Sequence, residues 1–438
     1  MKFPARITAW APAGVLWLLA AAVFLAAACL AALSARSSQA DDAAATNIVE
    51  QFQRQLDAGT ASLAYGDDGH GYLGDLLRAF HIPRDSQLLV FSASSFQFDR
   101  INQKTPRALY YQDNVSVGSV QDGKVIEIIA ADKDSGVAFY TLDVAKTGKP
   151  RFERQTGKCI ICHGFASSWA PGLMVANMDT GPKGQLLNLD PNHLYNLTDD
   201  RTPFAERYGG WYVTGTTGAM AHRGNVTLDP GAPLELPAGG LNVTSLADRI
   251  DTSRYYEPGS DIVSLLTLEH QSGFVNLVTR INAQYRGLNN KQVAPGLRAT
   301  EDDIDASIKE LLAYMTFADE VPLPSPVKGS STFTQTFPAA GPHDGQGRSL
   351  RQFDLTSHVF RYPLSFMVYS QTFDDLNPLA KARVWRGLYD ALKGAGKSGP
   401  YSALNRQNAA AAINILAATK SGLPDFWKTV PERGAQRS

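Results

Sequence analysis

Between residues 88 and 143, short β-branched and aromatic runs (LLVFSASSFQF, ALYY, VSVGSV, KVIEIIAA, GVAFYTLD) alternate with polar punctuation (NQKTP, QDN, QDG, KDSG). Strand-length runs with turn signals between neighbours predict an antiparallel meander, either a small sheet or a partial barrel. Ahead of it, residues 35–48 are small and polar and read as a linker, with helical stretches near 46–57 and around Leu76 to Phe80. Residues 156–240 are rich in Gly and Pro and predict loops between short strands. From Ser260 the period changes, because Val263, Leu266, His270, Phe274, Leu277, Ile281 and Tyr285 recur every three or four residues along one helix face, with Ser260 and Asp261 as caps. A second helix in TEDDIDASIKELLAYM has Thr300 as cap and Ile304, Ile308, Leu311 and Met315 on one face. PLPSPVKGSS reads as a break, and two more helices fall near 378–394 and 405–419. No internal repeat stands out. The predicted class is α+β: an antiparallel β-rich N-terminal half, a loop-rich segment and a helical C-terminal half. The corresponding segments are 1–40, 41–155, 156–245 and 246–438, the last packed on the third.

The first segment changes the picture of where the chain works. Lys2 and Arg6 precede an uncharged stretch from Ile7 to Ser34. That pattern reads as an export signal, either a signal peptide cut after Ser38-Gln39-Ala40 or a membrane tether through residues 7–34. Both options place the body in the periplasm or on the outer face of the cytoplasmic membrane. Over the whole chain, 44% hydrophobic and 19% charged residues describe an ordinary globular protein. A formal net charge of -1 gives no field that would draw it to nucleic acid.

Of the three cysteines, Cys29 lies in the apolar leader, so the body owns only Cys159 and Cys162, in KCIICHG. A structural zinc site takes four ligands, and no second Cys-x2-Cys or His-x3–5-His pair follows. A thioredoxin-like dithiol sits after a buried strand, whereas RFERQTGK is polar and charged. The third reading is covalent haem, in which two thiols add to the porphyrin vinyl groups and the adjacent imidazole turns back to the iron.

CIICH resembles the attachment motif of c-type cytochromes, which mature only after export. The resemblance implies one haem c, thioether links at Cys159 and Cys162, and His163 as the proximal iron ligand. Pro171-Gly172-Leu173 is similar to the proline-containing segment that lies against haem in that family. More broadly, the chain is similar to a group of large exported monohaem proteins of unassigned activity. The matching pieces are LLVFS (88–92), TPRALYY (105–111), CIICH, GGWYVTGT (209–216), HRGN (222–225), LEHQ (268–271), GRSLRQFDL (347–355) and FRYP (360–363). That likeness implies an architecture and a haem, not a reaction, with 156–245 as the haem-binding segment.

On the other face of the iron, Met220 or His222 in GAMAHRGN is the first candidate ligand, with Trp211 and Tyr212 as packing groups. His270 is a further candidate, although a histidine on an apolar helix face is ordinarily a hydrogen-bonded core residue. Met174 and Met178 lie nearer the motif. For the haem propionates, Arg223, Arg348, Arg351 and Arg361 are the cations singled out, each equally explained by a surface ion pair. His70, His81, His193, His343 and His358 sit in turn-like contexts. Three function classes remain. The first is electron transfer through the haem to and from a redox partner protein or a small-molecule donor or acceptor. The second is a haem oxidoreductase with an open or displaceable distal position, acting on a small substrate or peroxide. The third is a haem-based ligand sensor.

Overall fold

A computed structural model describes residues 45–428 apart from 147, 165–169, 188–195, 231–237, 289–297 and 399–400. The leader, its cleavage site and His193 lie outside the described residues. Contacts divide the chain between Ala45 and Thr46, and the elements that follow all belong to the second part.

The chain begins with α1 (Ile48–Asp57) and α2 (Leu73–Ala79). Asn47 starts α1 because its side-chain oxygen accepts the N–H groups of Val49 and Glu50, each at 3.1 Å. Its amide nitrogen reaches the other way, to Asp132 Oδ2 at 2.8 Å and the Tyr140 hydroxyl at 2.9 Å, and so ties the helix to the sheet.

Six strands follow: β1 (Leu88–Val90), β2 (Arg107–Gln112), β3 (Val115–Ser119), β4 (Val125–Asp132), β5 (Gly136–Asp143) and β6 (Phe152–Arg154). Each pairs antiparallel with the next, so the sheet is the meander its turn signals predict. Strand period two gives it two faces. Leu89, Ala108, Tyr110, Val117, Ile128 and Tyr140 pack against α1 and α2, while Leu88, Tyr111, Val137 and Phe139 join the core beneath the C-terminal helices. Each fully buried aromatic or aliphatic side chain on these faces contributes about 1.5–3 kcal/mol.

The motif occupies a short helix, α3 (Lys158–His163), which sequence periodicity does not reveal. Loops then carry two small ladders. β7 (Ala176–Asn177) pairs with β8 (Asn196–Leu197), and β9 (Gly215–Thr216) pairs with β10 (Lys328–Gly329). The stretch read as a break is thus partly built into the fold, and Asp261 Oδ2 also accepts the N–H groups of Ser330 and Ser331, both at 2.7 Å.

The C-terminal half is helical: α4 (Ile262–Leu288), α5 (Glu301–Met315), α6 (Phe333–Ala339), α7 (Gln371–Asp374), α8 (Pro378–Gly394), α9 (Arg406–Thr419) and α10 (Asp425–Lys428). Thr300 and Asp303 close a capping box at the start of α5, where the sequence places the cap. The long α4 differs from the expected single stripe. Besides Leu266, Phe274 and Leu277, the polar Ser264, Thr267, Glu269 and Gln271 are buried. The reason is position, since α4 lies between β5 on one side and α5, α6 and α7 on the other.

Candidate functional site

Two rows of side chains cross the α4-facing side of the sheet. Leu109, Gly118, Glu127 and Thr141 stand in register across β2, β3, β4 and β5, and beside them run Tyr111, Ser116, Ile129 and Phe139. Both rows form the floor of a large cleft, with about 210 Å³ open to the centres of water molecules. A single water needs roughly 10–15 Å³ on that measure, so the space is far larger than a hydration site. Ser116 and Gly118 keep the floor low in the middle. A Cβ at Gly118 would lie 3.3 Å from Leu109 Cδ2 and 3.6 Å from Glu127 Oε2.

Cys159, Cys162 and His163 all line this cleft from α3. Opposite chain segments supply Leu173, Met174, Ala176 and Met178, together with Trp211 and the α4 residues Leu268 and Ser272. Trp211 is fixed by donating Nε1–H to Ala176 O at 2.8 Å.

The His163 ring is oriented by its backbone neighbours. Its Nδ1 lies 2.8 Å from Gly172 O, and Gly172 N donates back to His163 O at 3.0 Å. A carbonyl only accepts, so Nδ1 carries the proton and the Nε2 lone pair is bare. Burial lowers the basicity of the ring, against the Gly172 bond, which favours the cation. Phe139 packs beside it with ring centres 4.9 Å apart.

Cys159 is pushed up from its ordinary pKa, first by burial and then by the charge of Glu127 and by Cys162. A redox dithiol depends on a depressed thiolate pKa, so this environment opposes the thioredoxin-like reading. The strand preceding the motif, β6, is also largely exposed, with only Phe152 buried.

One end of the cleft is polar. Arg107 Nη1 donates to Glu127 Oε2 at 3.0 Å, and both side chains line the cleft. Glu127 Oε1 accepts from Ser95 Oγ at 3.0 Å and Gln97 Nε2 at 3.3 Å. Lys158 also lines the cleft, with Nζ 4.7 Å from the Phe96 ring centre. The sequence reading did not single out this pair. Strand alternation carries the signal, because Arg107, Leu109 and Tyr111 share one face of β2, and Glu127 shares the face of Ile129 on β4.

The other candidates lie elsewhere. Met220 is fully buried in the core and does not line the cleft. His222 is 2% exposed, and its Nδ1 accepts the Gly224 N–H at 3.1 Å. Burial lowers its pKa to about 4, so the neutral ring keeps its proton on Nε2, the reverse of His163. Tyr212 packs with the α1 and α2 core rather than toward the cleft. His270 is fully engaged, with Nδ1 at 2.7 Å from Asp200 Oδ2, Nε2 at 2.7 Å from Ser365 Oγ, and its ring stacked on Tyr314. These contacts leave neither ring nitrogen bare. The arginines singled out are also committed away from the cleft. Arg223 pairs with Asp179, Arg348 with Asp344, and Arg351 with Asp113, while Arg361 lies over Tyr362.

Comparison with known proteins gives no likeness to lean on: no protein family, curated protein or solved structure matches this chain.

Proposed function

We propose that the protein is an exported monohaem c-type cytochrome that transfers electrons to and from a redox partner. The observation that carries this reading is the coincidence of three features in one cleft: two thiols, an imidazole with Nε2 bare, and a wide floor lined by Leu109, Ile129 and Phe139. Haem c, when bound, supplies a one-electron Fe(III)/Fe(II) couple.

The chain's own residues do the rest. Cys159 and Cys162 would provide the two covalent anchors, and His163 would hold the metal through its bare Nε2. Met174 and Met178, which line the same cleft, would be the sulfur donors available to the iron opposite His163. Arg107 and Lys158 supply the positive charge that suits propionate carboxylates. The apolar part of the floor, Leu109, Ile129 and Phe139, would lower the local polarity around the group and so raise the cost of the more highly charged ferric state.

The test is expression alongside a cytochrome c maturation system, followed by denaturation, pyridine haemochrome absorption and intact-mass analysis. One haem retained on the denatured wild type and none on Cys159→Ala/Cys162→Ala is the expected result. A wild type without covalent haem refutes the reading.

A second reading rests on the Arg107–Glu127 pair. A paired cation and carboxylate lining the cleft is also what an oxidoreductase needs to orient a small polar substrate or peroxide. Rapid carbon monoxide binding by the reduced protein and reaction with peroxide favour this reading, whereas a six-coordinate haem indifferent to carbon monoxide favours electron transfer.

A further inference from the structure

The peptide group between Gly172 and Leu173 is held at both ends. Its carbonyl receives the Nδ1–H of His163 at 2.8 Å, and its N–H donates to Asn276 Oδ1 on α4 at 2.8 Å. The same Asn276 side chain donates Nδ2–H to Leu173 O at 2.9 Å. Turning the amide over would set donor against donor and acceptor against acceptor, so the orientation is fixed by its partners.

We infer that Asn276 is a positioning residue for the proximal imidazole, acting through this peptide; the inference rests on the haem reading above. Two physical effects follow from the geometry. The two Asn276 bonds fix the plane of the Gly172 carbonyl, and with it the direction of the His163 ring. A peptide whose N–H is engaged is also a more polarised acceptor at its carbonyl, because hydrogen bonds in series strengthen one another. A stronger acceptor at Nδ1–H gives the imidazole more anionic character at Nε2, which favours Fe(III) and lowers the reduction potential. The long central helix thereby sets a property of the site from the side away from the sheet floor.

Asn282, six residues further along α4, provides an internal control. It too holds a neighbouring segment by two backbone bonds, donating to Asp375 O at 3.2 Å and accepting from Asn377 N at 2.8 Å. Neither of those residues lines the cleft.

The experiment compares holoprotein wild type, Asn276→Ala, Asn276→Asp and Asn282→Ala. The readouts are midpoint potential, low-spin ferric EPR, exchange of the Leu173 amide proton and thermal stability. Asn276→Ala is expected to raise the potential, with the ferric/ferrous ratio at fixed potential falling by up to about tenfold, or about 59 mV for a one-electron couple. Its EPR signals should broaden and its Leu173 amide should exchange faster. Asn276→Asp keeps an acceptor for Leu173 N–H but loses the donor to Leu173 O, so it should bring the potential closer to the wild-type value than Asn276→Ala does. Asn282→Ala should lose stability without moving the potential. If Asn276→Ala carries full covalent haem with unchanged potential and EPR, or if Asn282→Ala shifts them equally, the positioning role is overturned while the haem reading stands. A wild type with no covalent haem overturns both.

Discussion

His163 and His222 hold their protons on opposite ring nitrogens. Nδ1 of His163 faces the Gly172 carbonyl, whereas Nδ1 of His222 accepts the Gly224 amide N–H. A neutral imidazole carries one proton, so Nε2 is bare on the first and protonated on the second. On the haem reading, His163→Ala is therefore expected to abolish a low-spin haem spectrum. His222→Ala should leave that spectrum in place and cost about 1–3 kcal/mol, because a buried N–H loses its acceptor. Absorption spectra and urea melts of the two variants check this, and loss of the spectrum in His222→Ala would return that residue to the iron.

The methionines divide in the same way. Met220 is fully buried away from the cleft, and Met174 and Met178 line it. Met220→Ala should cost about 2–5 kcal/mol by leaving a cavity, with the reduced haem still closed to carbon monoxide. On the haem reading, one of Met174→Ala and Met178→Ala should open the iron to carbon monoxide. Flash photolysis of the reduced proteins measures this, and carbon monoxide binding gained by Met220→Ala alone would assign the sixth position to Met220.

The contrast shows what the sequence carries and what it does not. The meander is legible because each β-branched run ends in its own turn signal, and the helices at 378–394 and 406–419 are legible because their starts and periods are local. The motif sets Cys159, Cys162 and His163 within five residues, and the structure brings all three to one cleft. Which methionine faces them is a long-range matter, set by how the 172–178 segment and the sheet converge on one cleft. The burial of Glu269 and Gln271 is illegible for a related reason. Periodicity reports one apolar stripe, and only the layers on either side of α4 reveal that its polar side is covered too.

Asp132 makes stability depend on acidity. Burial alone would raise its carboxyl, but donors from Thr46, Ser135 and Asn47 outweigh that and hold it down at about 2. An unfolded Asp titrates near 3.9. The folded pKa lies below the unfolded one, so the contribution is full above about pH 4 and is lost as pH falls through about 2. Asp132→Asn is expected to be less stable than wild type by about 1–3 kcal/mol at neutral pH, the difference shrinking across that acid window. Denaturant titrations of both proteins between pH 7 and pH 2 follow it, and a difference that does not change with pH would assign the effect to packing instead of charge.

The geometry of Ser365, His270 and Asp200 invites a hydrolase reading that its surroundings oppose. The two links of 2.7 Å match a nucleophile–base–orienter arrangement. Ser365 is nevertheless fully buried, and its Oγ also accepts the Met367 N–H at 3.2 Å at the start of a short helical turn. The adjoining void, lined by Asp200, Arg207, His270 and Glu320, measures about 10 Å³, which is room for one water and no acyl substrate. The three residues thus act as a hydrogen-bonded brace between α4 and the segments around 200 and 365. A fluorophosphonate probe should leave the mass of the native protein unchanged. Ser365→Ala should lower stability by about 1–3 kcal/mol, because the His270 and Met367 nitrogens lose a buried partner, and the haem spectrum should persist. Labelling of Ser365 in the native protein would mean that this brace opens and can meet a substrate.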